Sequence, residues 1–251
     1  MNPEDIFRPY NKISEDLKFI TASDIKIKIL ISLKNGPKKL PDLKKDIHVN
    51  SSTILHNIRQ LESKDIILKE FQQYSLSQTG EIITHNLISF LNSIYFIKNQ
   101  KKFWLEHKIE SIPPNLINYM ECLRDIDVCT IKSSYSILEE LLKKSNNIKC
   151  IFSYPIYGDK LFKIICEENN HFKALLAGEY TSLECLKNKN FHLLDNENLG
   201  LNLIILEEII FLNISYLNGM PDKEYCLMGK SKEGIKWGTK LFDYYLSQSE
   251  F

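Results

Sequence analysis

The sequence predicts a protein of the α+β / α/β class, with an N-terminal winged helix-turn-helix, a long connecting helix and a C-terminal α/β domain with a mixed sheet. The stretch NSSTILHNIRQLESK, which begins at Asn50, has a small polar start and apolar residues at helical spacing, and a short hairpin pattern follows it. From residue 116 onwards, helix-type and strand-type segments alternate, as in βαβ units. The length of 251 residues exceeds that of a usual single domain. We therefore expect a winged-helix domain at 1–80, a connecting helix and linker at 81–112, and an α/β domain at 113–251.

Three helices are predicted before the central stretch. Residues 3–20 carry apolar side chains at helical spacing. Ser23 is placed to cap a second helix that runs to Lys34, and a Gly-Pro pair then stops it. Pro41 lies in the first turn of a short third helix, because proline is tolerated at that position. Three helices followed by a fourth helix and a hairpin are typical of a compact winged-helix module.

The helix of the central stretch is expected to bury Ile54, Ile58 and Leu61 and to expose its polar residues. Its outward-facing residues are predicted to be Ser52, Thr53, His56, Asn57 and Gln60. Two short strands follow at 66–70 and 74–76, with a turn at Gln72 and Gln73. This hairpin is the predicted wing.

A long helix is predicted at 81–101, after a turn at Thr79 and Gly80. Its apolar residues step by four, three, four and three, which is heptad spacing; they are Ile83, Leu87, Phe90, Ile94 and Ile97. The apolar face is wider than one small module needs, which favours a homodimer contact. The alternative is a helix that packs only on its own domain.

The C-terminal domain is expected to begin after Pro113 and Pro114. Helices are predicted at 116–124, 135–144, 159–168 and 181–188, alternating with strands at 128–131, 149–154, 172–177 and 191–194. Parallel βαβ units are the expected arrangement of these strands. Three closely spaced apolar runs at 201–206, 209–216 and 224–229 are expected to add antiparallel strands to the same sheet, and a last helix is predicted at 232–247.

Composition narrows the functional classes. The chain has 32 basic and 32 acidic residues, so a protein that binds polyanions over its whole surface is excluded. Between residues 21 and 76, however, ten basic residues stand against six acidic ones, so local binding of nucleic acid is possible. Six cysteines without a CxxC pair are expected to be reduced and buried, with redox sensing as the alternative. No apolar run reaches the length of a membrane helix, and we expect a cytoplasmic protein.

Enzyme signatures are missing from the sequence. It contains no GxGxxG, GxxxxGK[ST], GxSxG or HExxH pattern. His171 and Lys173 have the His-x-Lys opening of phospholipase-D-type motifs, but Gly178 stands where that motif needs an acid. Isolated cysteine and histidine pairs are too few for a tetrahedral metal site. We therefore expect no catalytic residues, no metal site and no cofactor.

The central helix and the predicted wing carry the strongest functional signal. A DNA major groove admits a helix, and amide, hydroxyl and imidazole groups in its first turns can reach base edges while Arg and Lys contact phosphates. The predicted DNA-binding residues are Lys44, Lys45, Ser51, Ser52, Thr53, His56, Asn57, Arg59, Gln60, Gln72 and Gln73. The alternative, solvated polar residues on an ordinary amphipathic helix, is disfavoured by the position of this helix directly before the wing. The wing residues Gln72 and Gln73 carry no charge, which weakens their expected contact.

Three segments resemble a known family. The stretch from SDIKIKIL to YSLSQTG is similar to the ArsR-like winged-helix domain of archaeal regulators, and FWLEHKIESIPPNLI and KEGIKWGTKLFDYYLSQS resemble the junction and the final helix of the archaeal methanogenesis regulatory protein family. The resemblance implies a methanogen or related archaeal source, transcription regulation, and a C-terminal domain that senses an effector or dimerises. It also implies base-reading roles for Ser52, Thr53 and His56. An arginine often stands where this chain has His56, so the resemblance leaves the target sequence open.

Together these observations predict a homodimeric regulator that binds double-stranded DNA at a palindromic operator. Because ligands of open α/β sheets bind beyond the carboxyl ends of the strands, a small-molecule effector site is expected near Tyr154, Tyr157, Gly178 and Glu179. Two alternatives remain open. The winged helix can be a protein-interaction module, or the C-terminal domain can be an enzyme that carries an accessory DNA-binding domain.

Overall fold

A computed structural model of the protein describes residues 3–156, 160–168, 171–178, 190–196 and 198–249. By contacts the chain divides into two compact units, Met1–Phe90 and Leu91–Phe251. The division lies inside the predicted connecting segment 81–112, because Phe96, Phe103 and Ile112 are buried in the core of the second unit.

The first unit contains helices around a small antiparallel sheet. Its elements are α1 (Pro3–Thr21), α2 (Asp24–Leu33), β1 (Lys38–Lys39), α3 (Leu40–Ile47), α4 (Ser51–Glu62), β2 (Ile67–Glu70), β3 (Gln73–Leu76) and the first part of α5 (Gln78–Asn99). The strand order is β1-β3-β2. The predicted helices and hairpin are confirmed, and β1 is an additional two-residue strand that pairs with β3.

Local chemistry explains where these helices begin. The Ser23 hydroxyl accepts a hydrogen bond from the Lys26 amide at 3.3 Å, and the Asn50 side chain accepts one from the Thr53 amide at 2.8 Å. Both residues satisfy amides that have no partner inside the helix. The apolar stripes of α2, α3 and α4 meet in one core that includes Leu30, Leu43 and Ile58.

Helix α5 begins earlier than predicted. Thr79 and Gly80 lie inside its first turn, and the Ser77 hydroxyl accepts a hydrogen bond from the Gly80 amide at 3.0 Å. A Cβ at residue 80 would lie 2.1 Å from the carbonyl oxygen of Ile66. The glycine is therefore needed for close packing of α5 on the chain before β2, and not for a turn.

The second unit is a three-layer α/β structure around a mixed sheet. After the end of α5 it contains α6 (Lys101–Glu106), α7 (Pro114–Ile117), a short 3-10 helix (Met120–Leu123), β4 (Asp127–Thr130), α8 (Ile131–Lys144), β5 (Ile148–Phe152), α9 (Lys160–Glu168), β6 (Phe172–Leu176), β7 (Phe191–Leu193), β8 (Leu201–Ile205), β9 (Ile210–Ile214), β10 (Tyr225–Gly229) and α10 (Lys232–Leu246). The helix predicted at 116–124 is thus replaced by two short helices, α7 and the 3-10 helix. The helix predicted at 181–188 lies outside the described residues.

The seven strands described in the second unit form one sheet with the order β4-β10-β9-β8-β5-β6-β7. Strands β5, β6 and β7 are parallel, and the remaining pairs are antiparallel. The mixed sheet is confirmed, but β4 was expected beside β5 and instead lies at the far edge, paired with β10. All residues of β8 and β9 are buried, whereas β4 has exposed residues, so the central positions go to the more apolar strands.

Both faces of this sheet are covered. On one face, α8 and α9 enclose a core that contains Leu138, Ile165 and Phe211. On the other face, the core includes Trp237 and Phe242 of α10. Within the described residues, no helix is long and apolar enough to cross a membrane.

Candidate nucleic-acid interface

Helices α3 and α4 are joined by a three-residue turn. His48 has a left-handed conformation with φ of 61°, and its amide donates to the Lys44 carbonyl at 3.0 Å, which ends α3. Asn50 then caps α4, as described above. The short turn holds α4 directly after α3, and this arrangement is a helix-turn-helix.

One face of α4 is exposed and polar. Ser52, His56 and Arg59 are exposed and follow one another at helical spacing. The Ser52 hydroxyl donates to the Asn50 side chain at 2.7 Å, and Nε2 of His56 lies 3.0 Å from Nε2 of Gln60. This face offers the hydroxyl, imidazole, amide and guanidinium groups that can bond to base edges and phosphates. Ser51, Thr53 and Gln60 are half-buried at its border.

Asn57 does not belong to this face, so its predicted outward orientation is wrong. Its side chain is buried, accepts a hydrogen bond from the Ser23 hydroxyl at 3.1 Å and donates to the Thr53 carbonyl at 2.9 Å. A buried amide needs such partners, and here they join α4 to the start of α2. Asn57 therefore positions the helix and is not available to a base.

Unpaired positive charge lies near the exposed face. Lys44 and Lys45 are exposed in the last turn of α3 and, like Arg59, form no ion pair with any described residue. Three of the other lysines in the first unit form ion pairs with carboxylates: Lys34 pairs with Glu81 at 2.7 Å, Lys38 with Asp46 at 2.5 Å and Lys64 with Asp16 at 2.9 Å. The cations predicted to contact phosphates are thus among those left free to do so.

The wing differs from the prediction at its tip. Glu70 pairs with Gln73 in the ladder, so the two turn residues are Phe71 and Gln72, with φ of 44° and 66°. Gln73 belongs to β3 and is exposed, as is Gln72. Phe71 is 98% exposed, which is unusual for a large apolar side chain. Sequence reasoning missed this residue, although an aromatic at the end of a short hairpin strand was a usable signal.

Of the four residues predicted to bind an effector, Tyr154 and Gly178 lie among the described residues. Tyr154 follows β5, is buried, and donates its hydroxyl to the Asn213 side chain at 2.6 Å. Burial, with a smaller effect of Asp222, raises the pKa of Tyr154. Gly178 follows β6 and does not line the cavity beside Tyr154. Tyr157 and Glu179 lie outside the described residues.

A buried polar network surrounds Tyr154, and the sequence analysis did not anticipate it. Asn202 and Asn213 face each other in the register of β8 and β9 and are fully buried. Asn202 accepts from the Ser153 amide at 2.8 Å, and Asn213 donates to the Tyr225 carbonyl at 2.8 Å. The available signal was a single asparagine inside each of the apolar runs LNLIIL and IFLNIS.

The network extends to a buried His–Asp pair. Nε2 of His107 lies 2.8 Å from the Asp222 carboxylate, and Nδ1 lies 2.6 Å from the Phe103 carbonyl. Tyr216 also donates to Asp222 at 2.9 Å. Both ring nitrogens of His107 therefore face oxygen atoms of the protein. The pair joins the end of α6 to the segment before β10.

Four cysteines whose side chains are described form no disulfide bond: Cys122, Cys129, Cys150 and Cys226. Burial raises the pKa of Cys122 and Cys129, and raises that of Cys226 to about 12. Cys150 and Cys226 are buried as expected, whereas Cys122 and Cys129 are only half-buried. A raised pKa disfavours the reactive thiolate, which disfavours redox sensing by Cys122, Cys129 and Cys226. Within the described part of the chain, no three His, Cys, Asp or Glu residues are grouped to hold a metal ion.

The fold and the exposed helix define the class of protein: a winged helix-turn-helix joined to an α/β domain. Residues 14–95 match the family model of the methanogenesis regulatory protein FilR1, N-terminal domain, and residues 134–248 match the model of its middle domain. The chain belongs to this methanogenesis regulatory protein family, which confirms the predicted resemblance.

One curated relative is the methanogenesis regulatory protein FilR1 of Methanothrix harundinacea (strain 6Ac). It is 26% identical over 254 residues, which cover 93% of this chain and 57% of the relative. The chain therefore spans a little over half the length of that protein.

Two solved structures show weak likeness. TrmBL2, an archaeal chromatin protein, is 14% identical with a TM-score of 0.38, covering 90% of this chain and 92% of its own. Nuc, a phospholipase D family member from Salmonella typhimurium, is 8% identical with a TM-score of 0.36, covering 50% of this chain and 95% of its own. Both TM-scores are below 0.5, so nothing is inferred from them.

Proposed function

We propose that this protein is a transcriptional regulator that binds double-stranded DNA through α4. The observation that carries the proposal is the exposed face of Ser52, His56 and Arg59, presented by a helix-turn-helix whose preceding helix α3 ends in the exposed cations Lys44 and Lys45. Its relative in Methanothrix harundinacea is named a regulatory protein, which supports the same class.

In this proposal, α4 enters the major groove. Ser52 and His56, with Thr53 and Gln60 beside them, contact base edges, while Arg59, Lys44 and Lys45 contact phosphates. Asn57 is not among the residues proposed to contact bases, because its side chain is buried. Gln72 and Gln73 remain candidates for a contact of the wing with the adjacent groove.

We further propose that two copies bind a palindromic operator as a homodimer. A single small reading helix with few cations binds DNA weakly, whereas two-fold pairing doubles the contacts and matches a palindrome. The exposed apolar residues of α5, which include Phe90 and Ile94, are the proposed contact. The second unit is proposed to sense a small effector that binds two states of the protein with different affinity.

The test is the double substitution His56→Ala and Arg59→Ala. Each lost contact to a base or phosphate is worth about 1–3 kcal/mol, so binding to operator DNA should weaken roughly tenfold or more. The matched control is Arg8→Ala with His85→Ala, which removes an exposed arginine and an exposed histidine elsewhere in the first unit. Affinity is measured by fluorescence anisotropy at one fixed salt concentration on operators found by genome-wide footprinting.

The outcomes separate the proposal from its alternative. Equal affinity of the double variant and the wild type would exclude α4 as the reading helix. No binding to any duplex DNA at low salt would exclude the DNA-binding function and favour a protein-interaction module, since the electrostatic part of DNA binding is strongest at low salt.

A further inference from the structure

A small polar cavity lies at the carboxyl end of β5. Its volume is about 150 Å³, and its lining includes Ser153, Gly200 and Ser215. Ser153 follows β5, Gly200 precedes β8 and Ser215 follows β9, and these three strands are neighbours in the sheet. Three chain segments therefore meet around one cavity at the edge of the sheet where ligands of α/β proteins commonly bind.

Ser215 has an unused hydroxyl in this cavity. The residue is 1% exposed, and its Oγ forms no hydrogen bond with any described residue. Its backbone is held at both ends: its amide donates to the Gly200 carbonyl at 2.9 Å, and its carbonyl accepts from the Lys108 amide at 3.0 Å. A buried hydroxyl without a partner destabilises the folded protein, so a fixed, unsatisfied hydroxyl that lines a cavity points to a missing partner.

Gly200 allows the Ser215 hydroxyl to lie directly against the backbone at this cavity. Its φ is +59°, and a Cβ at this position would lie 2.3 Å from the Ser215 Oγ. A side chain at residue 200 would therefore displace the hydroxyl, so its position depends on this glycine. Gly219, with φ of +85°, lines the same cavity.

Lys108 supplies positive charge to the cavity. It is half-buried and forms no ion pair with any described residue, and its Nζ lies 3.4 Å from the position of a Cβ at Gly219. The remaining lining side chains are those of Tyr154, Asn198 and Pro221, so among the described residues no carboxylate lines the cavity. Asp222 is nearby in sequence, but its carboxylate is occupied by His107 and Tyr216.

The other buried polar groups at the cavity already have partners. The Ser153 hydroxyl donates to the Leu201 carbonyl at 2.8 Å and accepts from the Leu201 amide at 2.9 Å. The Tyr154 hydroxyl donates to Asn213. The buried or half-buried donors left for a ligand are therefore the Lys108 ammonium and the Ser215 hydroxyl.

We propose that this cavity is the effector site of the second unit and that it binds a small oxyanion, either a carboxylate or a phosphate group. The proposal rests on the effector-sensing part of the proposed function and names its ligand class. A cation and a hydroxyl donor, with no competing acid among the described lining residues, favour an anion with several acceptor oxygens. At about 30 Å³ per water molecule, a cavity of this size holds only a few small groups.

The experiment is isothermal titration calorimetry of the full chain, without DNA, against inorganic phosphate and, separately, against acetate. The two titrations distinguish a phosphate ligand from a carboxylate ligand. Lys108→Gln removes the charge at similar length, and Ser215→Ala removes the unused hydroxyl. Lys132→Gln is the control, because Lys132 is an exposed lysine on α8 outside the cavity.

We expect saturable binding of at least one anion to the wild type and to the Lys132 variant. Both cavity variants should bind it roughly tenfold more weakly or worse, because each loses a hydrogen-bond donor to the anion. Ser215→Ala should melt at the wild-type temperature or above, since its hydroxyl has no partner to lose. Loss of binding in this variant is therefore not a folding defect.

Two results would overturn the inference: no saturable binding of either anion to the wild type, or equal binding by the wild type and Lys108→Gln. Because DNA is absent from the titration, the result is independent of the proposed reading helix. A protein that binds DNA but no anion contradicts the cavity proposal alone. A protein that binds the anion but no duplex DNA contradicts the regulator proposal and leaves the anion site standing.

Discussion

At the scale of single residues, the wing tip combines two unfavourable features. Phe71 and Gln72 have positive φ, which favours glycine or asparagine in a two-residue hairpin turn, and neither position has one. Phe71 also exposes nearly its whole ring to solvent. Proteins that bind the minor groove often insert an apolar side chain between base steps, so DNA contact is a physical reason to keep a phenylalanine here.

Substitutions at this turn separate strain from DNA contact. Phe71→Gly and Gln72→Gly both relieve the backbone strain that a positive φ causes in residues with a side chain. Each should raise the free energy of unfolding by up to about 1 kcal/mol, measured by urea denaturation. Phe71→Gly should weaken DNA binding more than Gln72→Gly does, because only Phe71→Gly removes the exposed ring. If both variants bind DNA like the wild type, Phe71 has no part in the interface.

Asn57 shows where residue-level reasoning from the sequence stops. Its polar side chain on an amphipathic helix predicts exposure, and the neighbouring positions Ser52 and His56 are indeed exposed. Its burial depends on the Ser23 hydroxyl, which is 34 residues away in the chain. Such a partner becomes visible only when the packing of α2 on α4 is known.

At the scale of secondary-structure elements, the carboxylate of Asp46 connects α2, α3 and β1. Asp46 of α3 accepts hydrogen bonds from Lys38 of β1 and from Ser32 of α2, both at 2.5 Å. The Lys38 hydrogen bond, followed by that of Ser32, holds the pKa of Asp46 below its ordinary value of 3.8. Since α3 supplies Lys44 and Lys45, this contact also positions the cations proposed to bind phosphate.

This contact has a definite pH dependence. Because the pKa is lower in the folded state, the contribution to stability is present above the unfolded pKa and is lost as the pH falls through the folded pKa. Asp46→Asn should therefore lower the melting temperature at pH 7, and the gap to the wild type should close in acid below pH 3.8. Glu15→Gln, which removes an exposed carboxylate from α1, is the control and should change little at either pH. A gap that persists in acid would show that the ionised carboxylate is not the cause.

Helix α5 carries the proposed dimer contact. Phe90, Ile94 and Ile97 lie on one stripe of the helix surface. They are 60%, 46% and 47% exposed, which is a large exposed fraction for apolar side chains of this size. Helix α1 shows a second such stripe, formed by Phe7, Tyr10, Ile13 and Leu17. A second copy of the chain is the proposed partner that removes this surface from water.

Charge on the α5 stripe should prevent pairing. Phe90→Glu with Ile94→Glu should convert a dimer into a monomer in light-scattering measurements after gel filtration, because burying two carboxylates in an apolar contact is costly. His85→Glu with Asn99→Glu adds the same charge on the opposite side of α5 and should remain dimeric. A monomeric wild type would refute the dimer, and a dimeric stripe variant would place the contact elsewhere.

The elements themselves were largely predictable, whereas their arrangement was not. The cap at Ser23 and the apolar periodicity of α4 are local properties, and the structure confirms them. The position of β4 depends on competition among strands for the sheet centre, which no single segment reveals. The cavity at Ser215 and Lys108 likewise needs three distant segments to meet, so the sequence predicted only its general place, at the end of β5 near Tyr154.

At the scale of the whole molecule, charge is separated along the chain. The total is balanced at 32 basic and 32 acidic residues, but residues 21–76 have an excess of four positive charges, and the remainder is correspondingly acidic. Acidic surface elsewhere repels DNA, so binding should be confined to the first unit. The strength of this attraction depends on the ions that DNA releases when lysines replace them.

Salt dependence therefore tests the charge distribution directly. The logarithm of the binding constant falls with the logarithm of salt concentration by about 0.9 for each phosphate neutralised on duplex DNA. Lys44→Gln with Lys45→Gln should make this slope shallower by about two per protomer, while Ser52→Ala should weaken binding to the preferred sequence without changing the slope. Lys132→Gln with Lys232→Gln makes the same change of charge on the second unit and should leave the slope at the wild-type value. If both lysine pairs change the slope equally, the electrostatic field of the whole molecule attracts DNA. The proposal that α3 and α4 form the DNA interface would then be contradicted.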